Sequence, residues 1–191
     1  MSRSFPELET PRLVVRPGVT GDAPAIVRFF KENREHLTPW WPRWTEASFN
    51  EPFWERMVRS HQEDFRQDRA VRFFLFDKSE PGEIIGLANF NQVVRGVAHS
   101  CVLGYGLAKR KEGVGYMTEA LTAAIRYIFE EENLHRIGAN YIPRNERSGS
   151  VLKRLGFVQE GYAKEYLFIN GCWEDHILTS LTNSRWLDVI S

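Results

Sequence analysis

The run Gly104-Tyr-Gly-Leu-Ala-Lys-Arg-Lys-Glu-Gly-Val-Gly-Tyr-Met-Thr-Glu-Ala-Leu121 constrains the fold more than any other part of this chain. An apolar, strand-like stretch enters a basic turn carrying Gly113 and Gly115 and leaves it directly as a helix-forming stretch. Glycine lets the backbone take positive φ and approach a ligand closely, and the first N–H groups of the following helix have no partner within it. Such a turn is an anion cradle whose natural occupant is a phosphate group. Arg110 stands three residues before Gly113, giving Arg-x-x-Gly-x-Gly, and Lys109 and Lys111 add charge on either side. A strand-to-helix turn that merely needs glycine uses the same residues, so the pattern alone decides nothing.

The hydrophobic pattern around the cradle predicts a mixed α/β (α+β) order. Leu13 to Pro17 reads as a strand, and Asp22 to Asn33 as a helix with Ile26, Phe29 and Phe30 on one face. The stretch from His36 to Trp44 holds three tryptophans and two prolines, which argue for an ordered loop rather than a regular helix. Helical periodicity returns from Glu51 to about Arg66. Three strands follow, Val71 to Phe76, Ile84 to Val94 and Ser100 to Leu107, and they are expected to form an antiparallel meander. Tyr116 to Glu130 is the cradle helix. Ile137 to Ile142 is a strand able to lie beside the one ending at Leu107, and Ser148 to Leu155 is a short helix stopped by Gly156. Asn170-Gly171, between Tyr166 to Ile169 and Trp173 to Leu181, is a two-residue hairpin signal.

A second element gives the cradle its context: Arg144-Asn-Glu-Arg-Ser-Gly-Ser-Val-Leu-Lys-Arg-Leu-Gly-Phe157. Arg-x-x-Gly-x-Gly followed by Tyr-x-Thr-Glu-Ala-Leu, then Asn145-x-x-Ser148 and Leu155-Gly156-Phe157, resembles the GCN5-related N-acetyltransferase (GNAT) superfamily. Thr10-Pro-Arg-Leu-Val-Val-Arg16 and Glu160-Gly-Tyr-Ala-Lys-Glu-Tyr-Leu-Phe-Ile-Asn-Gly171 narrow the resemblance to the ribosomal-protein N-terminal acetyltransferase branch, and Asn89-Phe-Asn-Gln-Val-Val-Arg-Gly-Val-Ala-His99 and His135-Arg-Ile-Gly-Ala-Asn-Tyr-Ile-Pro143 resemble its RimJ type, which acetylates an N-terminal alanine. The likeness spans nearly the whole chain. It implies a GNAT fold, with a mostly antiparallel twisted sheet flanked by helices and central strands that splay to admit the pantetheine arm of acetyl-CoA. Gly104 and Gly106 are expected to permit a bulge and close backbone approach there.

The resemblance also implies a site. Leu107, Arg110, Lys111, Gly113, Val114, Gly115, Tyr116, Thr118, Asn140 and Asn145 would hold acetyl-CoA, with Asn145 equally suited to cap a helix. Trp40, Trp41, Tyr105, Glu174 and Asp175 fall on the acceptor side, although bulky aromatics in a proline-bounded loop also serve as core plugs. A protein α-amino group has a pKa of ~8, so much of it is neutral near pH 7 and a base need only take one proton through water. Glu165 matches the branch's carboxylate for that task, its alternative being a surface residue, and Glu174 and Asp175 are reserve bases. Many family members protonate the departing thiolate with a tyrosine seven residues after the helix-opening asparagine; here that position is Leu152. Ser148, which matches the serine of this branch, becomes the candidate donor, with Tyr141 and Tyr162 as alternatives that read more simply as sheet aromatics. A backbone N–H near Leu107 would hold the oxyanion. His99 and His135 read as structural.

Composition bounds the rest. The 191 residues, 42% of them hydrophobic, suffice for one core, so 1–191 is expected to be a single domain. Lys and Arg, 25 together, balance 25 Asp and Glu, so no nucleic acid or anionic membrane partner is called for. Cys101 and Cys172 lack metal spacing and read as reduced core residues, and no metal is expected. No apolar run reaches the length of a signal or membrane span, which points to the cytoplasm. The expected partners are acetyl-CoA and the N-terminus of a small-subunit ribosomal protein, with ribosomal particle association open. A small-molecule amine acceptor and a non-catalytic acyl-CoA binder are the competing readings.

Overall fold

The structure, a computed structural model, describes residues 4–188. Met1 to Arg3, part of the N-terminus read as lacking a signal, lie outside the described residues. An eight-stranded sheet runs in the order β1-β2-β3-β4-β5-β6-β8-β7. Its strands are β1 (Leu8–Glu9), β2 (Leu13–Arg16), β3 (Val71–Asp77), β4 (Ile84–Val94), β5 (Ser100–Leu107), β6 (Arg136–Tyr141), β7 (Val158–Ile169) and β8 (Cys172–Thr182). Five α-helices accompany them among the described residues: α1 (Ala23–Glu32), α2 (Arg34–Leu37), α3 (Glu51–Arg66), α4 (Tyr116–Glu130) and α5 (Glu146–Arg154). The meander from β3 to β5 is antiparallel, as expected, β2 adds to it antiparallel after the helical segment, and among the described residues β5 to β6 is the one parallel pairing in the sheet order.

Two apolar clusters cover the two faces of this sheet. On β3, Phe73 and Leu75 join one cluster, with α4 residues Leu121, Ala124 and Ile128, while Phe74 and Phe76 join the other, with Ile26, Phe29 and Phe30 of α1. Alternate side chains of a strand point to opposite faces, so a strand covered on both sides reads as the continuous apolar run seen here. Trp41, Trp44 and Trp54 pack against the α1 cluster, Trp54 stacking on Phe30 at 4.8 Å between centroids.

Several boundaries differ from the sequence reading. The tryptophan stretch is partly helical: α2 ends at Leu37 and a 3-10 turn spans Thr38–Trp40, because Pro39 sits in the first positions of that turn, where proline is tolerated. The short strand β1, which carries little periodicity, was not anticipated. β7 begins at Val158, eight residues before the predicted Tyr166, its pattern being masked by two register shifts. α5 starts two residues early because Asn145 caps it, its Oδ1 accepting from Ser148 N at 3.2 Å. No shift occurs at Gly104 or Gly106, whose register with β4 is continuous; the irregularity falls between Asn91 and Val94. The close approach is by a side chain instead, since a Cβ at Gly106 would stand 3.0 Å from the Trp41 ring. Cys101 is buried as expected, but Cys172 is exposed, because it opens β8 at the hairpin tip. The Asn170-Gly171 turn has φ of +47° and +91°, the positive pair a two-residue hairpin needs.

Candidate active site

β5 and β6 pair at Ser100, Cys101 and Val102 and then part. On the other edge of β5, Ala108 N donates to Ile85 O at 2.7 Å, so strand alternation turns the N–H groups of Leu107 and Tyr105 away from β4 and into the gap. A cleft of about 1650 Å3 opens there, walled by the end of β5, the first turns of α4 and α5, and the Leu37 to Trp41 segment.

The cradle forms one end of the cleft. Gly113 and Gly115 have φ of +80° and +88°; a Cβ at Gly113 would meet nothing within 4 Å. The loop is fastened from behind by Arg12, whose Nη1 donates to Val114 O at 3.0 Å and whose guanidinium lies 4.2 Å from the Tyr116 ring centroid. Glu119 places a carboxylate in the first turn of this helix, yet it is tied down by Thr10 Oγ1 at 2.6 Å and by Arg12 N and Nε at 2.9 and 2.6 Å. Burial raises the Glu119 carboxyl, but these hydrogen bonds outweigh it and hold the pKa below its ordinary value.

The charges near the cradle are arranged differently from the sequence reading. Lys111 does not face the cleft. Its Nζ lies 2.6 Å from Asp77 Oδ2 and 2.8 Å from Glu80 Oε1, with Tyr116 Oη donating to the same Asp77 oxygen at 2.9 Å. Burial raises Asp77, but the hydrogen bonds from Lys111, Ser79 and Tyr116 carry its pKa well below the carboxylate range. Arg110 is held by Glu80 at 2.7 Å and approaches Glu83 at 3.9 Å, and the exposed Val114 contributes its carbonyl to Arg12 rather than a cleft wall. The cationic lining comes instead from Lys109, Arg126, Arg144, Arg147 and Arg154. Arg154 also donates to Thr118 Oγ1 at 3.2 Å. Arg147 and Arg154 are seven residues apart, hence on one helical face, a spacing visible in the sequence but not singled out.

Ser148, in the first turn of α5, faces the cleft beside Asn145. Across the gap, Tyr105 Oη stands 2.8 Å from Ser148 Oγ and donates to Ser148 O at 3.0 Å. Burial pushes the Tyr105 phenol up to about 12, the Ser148 hydrogen bond pulling the other way. Sequence reasoning named both residues but had no signal for their contact, nor for His36 Nε2 at 3.3 Å from Glu112, which Arg147 also bonds. Leu152 is in the core at 1% exposure, Tyr141 packs against Gly149 of α5, and Tyr162 is exposed with its hydroxyl on Asp175; none of the three lines the cleft.

Trp40, Trp41, Tyr105, Leu107, Gly113, Gly115, Tyr116, Thr118, Asn145 and Ser148 thus line one cleft. Asn140, Glu165, Glu174 and Asp175 belong to the neighbouring strands instead. Asn140 Oδ1 accepts from Thr179 N at 3.3 Å. Glu174 is bidentate with Arg144 at 2.6 and 2.7 Å, and that pairing holds its pKa low. Asp175 accepts from Tyr162 and from Glu165 N, which lower its pKa in that order. These two carboxylates are poor bases because their partners favour the charged form. Glu165 is exposed in the register shift of β7 at φ +47°, and among the described residues its carboxylate has no ion pair. The hairpin reaches the cleft mouth where Asn170 N donates to Trp41 O at 3.2 Å.

A strand diverging from its parallel neighbour, a glycine cradle at a helix start and a serine in the first turn of an asparagine-capped helix meet in this one cleft. The acetyltransferase (GNAT) domain family matches residues 12–158, and the chain belongs to that family. It is 49% identical over 179 residues to the [ribosomal protein uS5]-alanine N-acetyltransferase of Escherichia coli (strain K12), covering 94% of this chain and 92% of that one. The crystal structure of the ribosomal-protein-S5-alanine acetyltransferase from Vibrio fischeri superposes with a TM-score of 0.91 at 40% identity, over 96% of this chain and 100% of that one. Mycobacterium smegmatis RimJ, solved in complex with CoA-disulfide, gives 0.87 at 29% identity over 98% and 90%. The protein is therefore an acetyltransferase of GNAT fold, and among its described residues no helix is long and apolar enough to cross a membrane.

Proposed function

We propose that this enzyme moves an acetyl group from acetyl-CoA to the α-amino group of the N-terminal alanine of ribosomal protein uS5. The near full-length identity of 49% to the enzyme so named carries the acceptor. Residues 1–191 act as one catalytic domain, in the cytoplasm, meeting the acceptor free or on a ribosomal particle through protein contacts rather than nucleic acid.

The residues present suit the donor. Acetyl-CoA supplies the activated thioester. The backbone from Gly113 to the α4 N-terminus, with no Cβ at Gly113 or Gly115, takes the pyrophosphate, with Lys109, Arg147 and Arg154 adding positive charge. The N–H groups of β5 that point into the gap bind the pantetheine arm, and Leu107 N–H holds the thioester oxygen as charge develops on it. Trp40 and Trp41 line the acceptor end, where Arg144 lies 5.5 Å from the Trp40 ring centroid. The amine gives its proton to water, with Glu165 as the carboxylate beyond it, and Ser148 protonates the sulfur.

The cleft exceeds the roughly 300–1,000 Å3 of small-ligand sites, leaving room for a peptide beside the donor. Intact-mass spectrometry of an alanine-first uS5 peptide tests the proposal. One acetyl group is expected on the free peptide and none on an N-terminally blocked copy. Acetylation of small amines with none on the peptide would replace the acceptor, and donor binding without any transfer would replace the reaction.

A further inference from the structure

We infer that Tyr105 is a positioning residue for departure of the thiol, acting through Ser148 by presenting a hydrogen bond to its Oγ. The inference rests on the reading of Ser148 as proton donor. The two residues are 43 apart in sequence and belong to β5 and α5, on opposite sides of the gap, yet Tyr105 Oη meets both oxygens of Ser148, Oγ at 2.8 Å and O at 3.0 Å. With Asn145 Oδ1 on Ser148 N at 3.2 Å, every polar group of the serine is engaged.

A phenol has one proton to give. Directed at the Ser148 carbonyl, it leaves the serine hydroxyl to donate back to the phenol oxygen, away from any substrate. Directed at Oγ, it occupies a lone pair there and frees the serine proton for the sulfur. Rotation about the tyrosine C–O bond exchanges the two arrangements, and no heavy atom need move. Phenylalanine at 105 would keep the ring and remove this choice.

The proton count closes without consuming the tyrosine. The amine nitrogen bonds the acetyl carbon and releases one proton to water, and the C–S bond breaks with its electron pair on sulfur. The Ser148 proton passes to sulfur, and water returns one to Oγ. Tyr105 stabilises the charge on Oγ between those events, and any proton it passes across the 2.8 Å contact is restored when water returns one to the pair, so both hydroxyls end as they began.

Two measurements on the full chain test this: single-turnover transfer to the alanine-first peptide, and ultraviolet titration of the thiol of bound coenzyme A, with bound desulfo-coenzyme A as blank. The second needs no acceptor. Tyr105→Phe is expected to slow transfer about tenfold, the worth of one hydrogen bond to a charged group, and to make the bound thiolate about tenfold less favoured. Ser148→Ala is expected to slow transfer at least as much, the double variant no further, and coenzyme A affinity to stay within about twofold, since none of these removes a cradle contact. A Tyr105→Phe enzyme with wild-type rate and thiol titration, or one whose loss persists in full on the Ser148→Ala background, overturns the inference. If Ser148→Ala alone changes neither readout, the donor reading falls and takes the inference with it. If the wild type leaves the peptide unmodified, the uS5 assignment fails separately and the thiol titration decides about Tyr105.

Discussion

Replacing Lys111 with methionine separates a structural lysine from a ligand-binding one. Lys111 and Asp77 have side chains only 11% and 1% exposed, and their contact is 2.6 Å. Without the lysine, Asp77 keeps its bonds from Ser79 N and Oγ and from Tyr116 Oη but loses its countercharge. Removing one partner of a buried pair costs about 3–5 kcal/mol. The lower end, about 3 kcal/mol, applies because Glu80, the second acceptor, is 36% exposed and adds little. For a chain of this length that is roughly a 6–12 °C fall in Tm. Urea unfolding followed by tryptophan fluorescence reads the change at pH 7. The pH dependence follows from the signs. Asp77 has a pKa below its ordinary 3.8, so its contribution is present above that value and lost as pH falls toward the folded pKa. Burial would lower Lys111, but Asp77 and Glu80 raise it above 10.5, so its contribution is present below that value and lost as pH rises through the folded pKa. The gap between wild type and Lys111→Met should therefore be flat between about pH 4 and 10 and narrow outside that window. Asp77→Asn on the Lys111→Met background should recover part of the loss, because an amide needs no countercharge. A single variant within about 0.5 kcal/mol of wild type, the scatter of ordinary surface substitutions, would refute the reasoning and return Lys111 to the list of ligand contacts.

Three further outcomes follow from distances and dihedrals. Gly149→Ala puts a Cβ 2.8 Å from the Tyr141 ring, so it should lower stability by about 1–3 kcal/mol despite alanine's better helix propensity; a higher Tm would contradict that contact. Gly115→Ala must hold an L-residue at φ +88° and should cost about 1–2 kcal/mol and weaken acetyl-CoA binding in calorimetry, whereas Gly21→Ala, which meets nothing within 4 Å, should leave binding unchanged. Asn145→Ala removes the α5 cap and should cost about 1 kcal/mol, while Asn145→Asp, which keeps the acceptor for Ser148 N, should retain most of both stability and single-turnover rate; equal loss in both variants would show that the cap is not what matters.

Local chemistry was legible in this sequence, and long-range pairing was not. The positive φ at Gly113, Gly115 and Gly171 and the Asn145 cap each follow from a residue type doing what its backbone or side chain favours within a few positions. The apolar run Phe73 to Phe76 likewise read as a strand, although that both of its faces are covered emerged only with the two clusters. Charge was misleading, because a basic turn looks ready for phosphate until its partners are known: Asp77, Glu80 and Glu83 lie some thirty positions upstream and claim Lys111 and Arg110. Tyr105 and Ser148 were each visible as candidates, but their contact spans the gap between β5 and α5, which neither segment encodes alone.

The pairing of Ser100 to Val102 with Arg136 to Gly138, continued by His135 N and Arg136 N donating to His99 O, is the seam that joins strands β1 to β5 with β6 to β8 among the described residues. Mechanically the sheet is two plates sharing a short seam, and their relative twist is set at one end and open at the other. A ligand laid along the open end bonds both plates and so makes one cooperative unit of two. Amide hydrogen exchange in β6 and β8 should then slow in step with β4 and β5 when coenzyme A binds, and release of product amounts to uncoupling the plates again.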